Sequence, residues 1–167
     1  LVEEVDAGGR ALRQATILEV QRTRPVIDMA GRQVKAECLQ LGRWTIPKGY
    51  TILVNIALIH DDVSILSNAR AFDPSRFLDA KPDLYQWIPF EGGTRRCPGA
   101  AFANMEINVV LRTMLRDFSP LPTNKRAERW HLRGIANAPA KDGRAIVRRR
   151  MSQSAPPAVV TTAGARS

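Results

Sequence analysis

Residues 99–118 place an apolar side chain on nearly every side of the helix their spacing predicts: Ala100, Ala101, Phe102, Ala103, Met105, Ile107, Val109, Val110, Leu111, Met114 and Leu115. A helix that is apolar all round belongs inside a larger body of protein, so burial is expected here. Pro98 suits its first turn, where the missing N–H costs nothing. The stretch before it is irregular, with Pro74, Pro82, Pro89, Gly92, Gly93 and Pro98 between residues 70 and 98. An unstructured run that long inside a compact domain is usually functional.

Upstream, Ala11, Leu12, Ala15, Leu18 and Arg22 recur at three- and four-residue spacing after Gly8-Gly9, predicting a helix over 10–24. Pro25 ends it, because its ring cannot continue the hydrogen-bond ladder. Short strand-like pieces follow. Val26-Ile27-Asp28-Met29 runs into an expected turn at Ala30-Gly31-Arg32, Arg43-Trp44-Thr45-Ile46 into Pro47-Lys48-Gly49, and Thr51–Ile56 is β-branched and alternating. Beyond a linker containing Pro120 and Pro122, His131-Leu132-Arg133 and Ala145-Ile146-Val147-Arg148 read as two strands joined through Asp142-Gly143. The expected fold is mainly α with a small β component (α+β), one domain over residues 1–150. Residues 151–167 carry Ala, Ser, Thr and Pro but no aromatic, and are expected to form a disordered tail.

At 167 residues, 44% hydrophobic and 25% charged, the composition is that of a globular protein. No run reaches the roughly 18 apolar residues of a membrane span, and Leu1-Val2-Glu3-Glu4 is not a secretory leader. Two cysteines, Cys38 and Cys97, make no disulfide framework, which favours a reducing cytoplasm. The first residue is not Met, and the expectation is a fragment. The net charge of +9 is uneven: residues 1–111 balance 13 Lys/Arg against 13 Asp/Glu, while residues 112–150 hold 11 basic and three acidic side chains. Such a bias points to an acidic partner or to a merely solvated surface. A nucleic-acid reader would interleave aromatics, and only Phe118 and Trp130 fall in this stretch.

The chemistry concentrates in Phe90-Glu91-Gly92-Gly93-Thr94-Arg95-Arg96-Cys97-Pro98-Gly99. A thiol here stands at a helix N-terminus, beside two guanidinium groups, in a Gly-rich bend, and each feature favours the thiolate. Cys97 is therefore a nucleophile, a metal ligand, or an ordinary buried cysteine. No Lys-Ser/Thr follows the glycines, so this is not a phosphate loop. Cys38, Cys97, His60 and His131 lack paired zinc-ligand spacing, and a cysteine hydrolase would need His60 or His131 brought in by the fold. A single thiolate suits a metal centre that brings its other ligands, as haem iron does.

The loop resembles the cysteine signature of the cytochrome P-450 family, Phe-x-x-Gly-x-Arg-x-Cys-x-Gly-x-x-x-Ala. Phe90, Gly93, Arg95, Cys97, Gly99 and Ala103 fill its fixed places, and Glu91 stands where the family usually has Gly. Glu19-Val20-Gln21-Arg22 is similar to the family's Glu-x-x-Arg helix, and Phe72-Asp73-Pro74-Ser75-Arg76-Phe77 to its Pro-x-Arg-Phe segment. The three occur in family order across residues 19–103.

That resemblance implies the C-terminal, incomplete part of the P-450 fold, binding haem b (iron protoporphyrin IX). It makes Cys97 the axial ligand, pairs Arg95 with a haem propionate, and packs Phe90 beside the sulfur to screen it from water. Gly99 and Ala103 would leave the flat macrocycle room, and Gly93 is a further cofactor-binding position. Glu19, Arg22 and Arg76 would form a buried network, and Val26 and Ile27 would face substrate or simply belong to the core. His60-Asp61 matches a common family pair without catalytic role. Arg96, Arg112 and Arg116 would lie on the face that docks an acidic electron donor of ferredoxin or flavoprotein type. The implied activity is oxidation of an apolar small molecule with O2, weak or absent in so short a chain. The alternatives are a non-catalytic remnant and a basic nucleic-acid-binding module. Because the oxygen-binding helix has no counterpart here, exposed apolar surface on the 99–118 helix is also expected.

Overall fold

The computed structural model describes residues 1–122 and 128–151. Lys125 and Arg126 of the basic stretch, and the expected tail from residue 152, lie outside them. Helix α1 (Val2–Asp6) precedes α2 (Ala11–Thr23), and the Glu4 carboxylate of α1 accepts the Leu12 and Arg13 backbone N–H groups at 2.5 and 2.9 Å. An anion is thereby set against the positive end of the α2 dipole, on donors the helix leaves free. Pro25 follows the α2 end as expected.

The buried residues of α2 differ from the predicted stripe. Arg13, Ile17 and Gln21 are buried along one side; Ala15, Glu19 and Arg22 are buried along the other. The two sets are offset by two residues, about 200° around the axis, so α2 is packed on opposite faces. Leu12 and Leu18 are only half-buried. A helix enclosed on two sides has no single apolar stripe, and here its charged residues are among the best hidden.

Beyond α2 the chain forms antiparallel pairs. Strand β1 (Met29–Gln33) pairs with β4 (Thr51–Asn55), and β2 (Cys38–Leu41) with β3 (Trp44–Pro47). Ala30-Gly31-Arg32 is thus strand and not the expected turn. Gly31 lies opposite Leu53, whose Cδ2 would be 3.5 Å from a Cβ there, an ordinary contact distance, so the strand position does not demand glycine. Helix α3 (Ile56–His60) follows β4 directly, its N-terminus capped by the Asn55 side chain, which accepts the Leu58 N–H at 2.9 Å.

Residues 70–98 hold no α-helix or strand, only 3₁₀ turns at Pro74–Phe77 and Gly93–Arg95. Helix α4 (Ala100–Asp117) then forms as predicted, but of its residues only Ala100 and Leu115 are buried. Phe102, Met105 and Val109 are 63%, 57% and 58% exposed. General burial of α4 is therefore corrected, and the bare apolar surface expected of an incomplete fold is present.

The end of the chain also departs from the expected hairpin. Phe118–Pro120 is not linker but strand β5, and it pairs with β8 (Val147–Arg149). The partner of β6 (Trp130–Arg133) is β7 (Ala136–Pro139), across Gly134 at φ +64°. Asp142-Gly143, with φ of +63° and +65°, leads out of that hairpin towards β8. Arg150 fastens this region, donating to the Leu115 carbonyl at 2.9 Å and to the Asp6 carboxylate at 2.5 and 2.8 Å. Among the described residues no helix is long and apolar enough to cross a membrane.

Candidate functional site

Glu19 is fully buried and gathers what the sequence placed far apart. Arg22 donates to both of its carboxylate oxygens, Nε to Oε2 and Nη2 to Oε1, each at 2.8 Å. The Asp73 backbone N–H donates to Oε1 at 2.8 Å, and Arg76 Nε stands 3.4 Å from the same atom. The rest of the Arg22 fork reaches the His60 and Ala71 carbonyls at 2.5 and 3.1 Å. Arg76 extends to the Ser67, Asn68 and Ala71 carbonyls, while its buried Nε has no aligned acceptor. A carboxylate held by two guanidiniums and a backbone N–H escapes the cost of an unpaired buried charge.

His60 belongs to this network, a role the sequence reading did not assign it. It is 1% exposed, with Nδ1 2.9 Å from the Arg22 carbonyl and Nε2 accepting the Ile88 N–H at 3.0 Å. A carbonyl only accepts and an N–H only donates, so the ring is neutral and carries its proton on Nδ1. Burial pushes its pKa below the usual histidine value, against the raising effect of the Arg22 carbonyl. The unfolded chain therefore takes up this proton first as pH falls. Stability from His60 is whole above the ordinary value of about 6.5 and declines as pH drops below it. Urea midpoints should fall between pH 7 and 5.5 in the native chain and stay flatter in His60→Asn.

The network reaches the cysteine loop through its neighbours. Trp87 Nε1 donates to the Leu18 carbonyl of α2 at 3.1 Å, and its ring meets Phe90 edge-on at 6.4 Å between centroids. The loop turns back on itself, the Cys97 N–H donating to the Phe90 carbonyl at 2.9 Å and Ala100 N–H to the Cys97 carbonyl at 3.3 Å. Gly93 has φ +65° and Glu91 φ +61°. The left-handed backbone at Glu91 explains why a glycine suits that place. Here the strained residue is tied down: Arg32 Nη2 of β1 donates to Glu91 Oε2 at 2.6 Å. Stability should be about 1 kcal/mol higher in Glu91→Gly than in Glu91→Ala, measured by urea unfolding, since both lose the ion pair and only glycine escapes the backbone strain.

Cys97 is exposed and free, so the ordinary buried cysteine is excluded, and the sulfur is not screened from water in this chain. Arg95 is exposed and forms no ion pair among the described residues, and nothing lies within 4 Å of a Cβ built on Gly92 or Gly93. Gly99 borders the thiol, where a Cβ would stand 3.7 Å from Sγ. Ala103 is half-buried one turn along α4. Among the described residues no three His, Cys, Asp or Glu side chains gather as a metal site. The donor set is thus a lone sulfur, a free cation and a glycine-bared surface, which fits a flat anionic group carrying a metal with its own ligands. A cleft of about 530 Å³ between β1, β4, α3 and residues 84–93 is mostly apolar and takes in Phe90 and Gly93 beside the charged Arg32, Glu91 and Arg96, but not Cys97 or Arg95. Val26 is 57% exposed and Ile27 half-buried, and the Val26 carbonyl accepts the Asn137 N–H at 2.7 Å.

Residues 7–142 match the family model of cytochrome P-450. The chain belongs to the cytochrome P-450 family. A curated relative, cytochrome P-450 138 of Mycobacterium tuberculosis, is 57% identical over 150 residues, covering 90% of this chain and 34% of the relative. Cytochrome P-450 135B1 of the same organism is 34% identical over 143 residues, 86% of this chain and 30% of that protein. Among solved structures, a 6-coordinated cytochrome P-450 from Thermus thermophilus superposes with a TM-score of 0.73 at 27% identity, over 90% of this chain and 39% of that one. A zebra fish cytochrome P-450 solved with abiraterone gives 0.70 at 28% identity, over 84% and 34%. The chain spans about a third of the length of these relatives, and its fold is a corresponding part of the P-450 fold. Members of the family are monooxygenases that carry haem b.

Proposed function

We propose that this chain is the haem-thiolate portion of a P-450 monooxygenase that oxidises an apolar small molecule with O2 and electrons from a redox partner. The observation that carries this reading is an exposed, unpaired Cys97 in a glycine-bared loop, with Arg95 two residues before it. Cys97 would hold the iron through its thiolate, Arg95 would meet a propionate with its forked donors, and Gly93, Gly99 and Ala103 would let the macrocycle approach the backbone. Haem, when bound, supplies the oxygen-activating redox chemistry. Trp87 ties the loop to α2 through the Leu18 carbonyl, and Phe90 packs against Trp87 and accepts the Cys97 N–H at its carbonyl.

The domain of the reading is residues 1–150, with Val26 and Ile27 offered to substrate. Arg96, Arg112 and Arg116 are on hand for an acidic electron-donor protein, though Arg116 is bound by Asp117 at 2.8 and 3.0 Å. Two free, exposed cysteines suit a cytoplasmic setting.

The test is addition of haem to the full chain, reduction, and carbon monoxide. A Soret band strongly red-shifted by thiolate ligation is expected. A ferrous–carbon monoxide spectrum lacking that shift, or no uptake of haem, overturns the proposal.

A further inference from the structure

Helix α4 meets α2 with a polar seam and leaves its apolar side bare. Ala100, Asn104, Ile107, Asn108, Leu111 and Leu115 recur at three and four residues and are the buried or half-buried face. Phe102, Met105 and Val109 stand on the opposite side. Both asparagines on the packed face are engaged. Asn108 Oδ1 accepts from Arg13 Nε at 2.8 Å, and its Nδ2 donates to Gln14 Oε1 at 2.8 Å. Asn104 Oδ1 accepts from Gln21 Nε2 at 3.1 Å, and its Nδ2 donates to the Ala100 carbonyl at 2.8 Å. Arg13 and Gln21 are 6% and 9% exposed, and between them on α2 lies the buried Ile17.

Apolar contact is non-directional and discriminates poorly between neighbouring registers, whereas buried hydrogen bonds hold only in one. A slip of one turn would move α4 by about 5.4 Å along its axis. It would also leave the Arg13 and Gln21 side chains without their partners inside the protein.

We propose that Asn104 and Asn108 are positioning residues that fix the axial register of α4 on α2, and so the place of Cys97 relative to the Glu19–Arg22 core. In its bearing on the ligand this rests on the haem-thiolate reading; in its bearing on the helices it does not. The pair acts through α4, at whose N-terminus the cysteine loop ends.

The test uses the full chain with Cys38→Ser, Cys97→Ser, Val20→Cys and Val109→Cys, spin-labelled at the two exposed new positions, one on each helix. One narrow dipolar distance is expected. Asn104→Leu/Asn108→Leu should shift or broaden it, and Asn108→Asp, which keeps the acceptor for Arg13, should restore the native distance. An unchanged distance in the double leucine variant overturns the proposal. If that variant does not fold by circular dichroism, Asn108→Leu alone is read in the same way. In the native-cysteine background the double leucine change should lower haem affinity by about ten-fold. A shifted distance with undiminished haem affinity rejects the positioning role. A native chain that takes up no haem ends the haem-thiolate reading, and the dipolar distance still decides the register.

Discussion

Glu19→Ala is expected to cost the folded chain about 3–5 kcal/mol, the loss associated with breaking a buried ion pair from one side. The carboxylate accepts both arms of Arg22 and the Asp73 N–H, and Arg76 lies against it. Its removal leaves Arg22, 2% exposed, as a charge with carbonyl partners only. Urea unfolding should show a lower midpoint or no cooperative transition at all. Glu19→Gln keeps the size but not the charge, and should fall between the native chain and Glu19→Ala. The double change Glu19→Leu/Arg22→Leu removes both charges and should do less harm than Glu19→Ala alone. A loss under about 1 kcal/mol for Glu19→Ala, within the range of an exposed pair, would refute a central role for this cluster.

Cys97→Ala should behave in the opposite way. The side chain is exposed and its Sγ takes part in no hydrogen bond among the described residues, so unfolding should move by no more than about 0.5 kcal/mol. The red-shifted ferrous–carbon monoxide band should vanish entirely, because no other sulfur accompanies the loop. Cys38 lies on the β2–β3 hairpin and serves as the control: Cys38→Ala should leave the spectrum as it was. Retention of the band in Cys97→Ala would remove the sulfur from the site. The two substitutions together separate the framework from the ligand it carries.

Motif spacing made the site legible before the fold was known. Glu19, Arg22 and Arg76 could be named together because the family resemblance implies that trio: two of them share a helix turn and the third lies within the Pro-Ser-Arg-Phe run. His60 escaped notice because its role depends on two backbone partners, the Arg22 carbonyl and the Ile88 N–H, whose closeness is a product of the fold. Trp87 escaped for the same reason, since its indole proton goes to the Leu18 carbonyl. Among the elements, α2 and α4 were readable from periodicity and from Pro25 and Pro98. Their burial was not, because α2 is enclosed on two faces and α4 turns its asparagines inward. Strand pairing at the end of the chain was hidden too: β5 finds β8 nearly thirty residues later, while an unremarked Ala136–Pro139 strand takes the partner expected for β8. Nearest-neighbour reasoning favours hairpins and misses such long closures.

The clasp between Asp6 and Arg150 brings residues 144 positions apart to within 2.5 Å. Asp6 and Arg150, near the two limits of the described residues, therefore share one pole. A short peptide could join them, and the chain could be reopened at the Gly42-Arg43 tip of the exposed β2–β3 hairpin, giving a circularly permuted protein with the same helix packing.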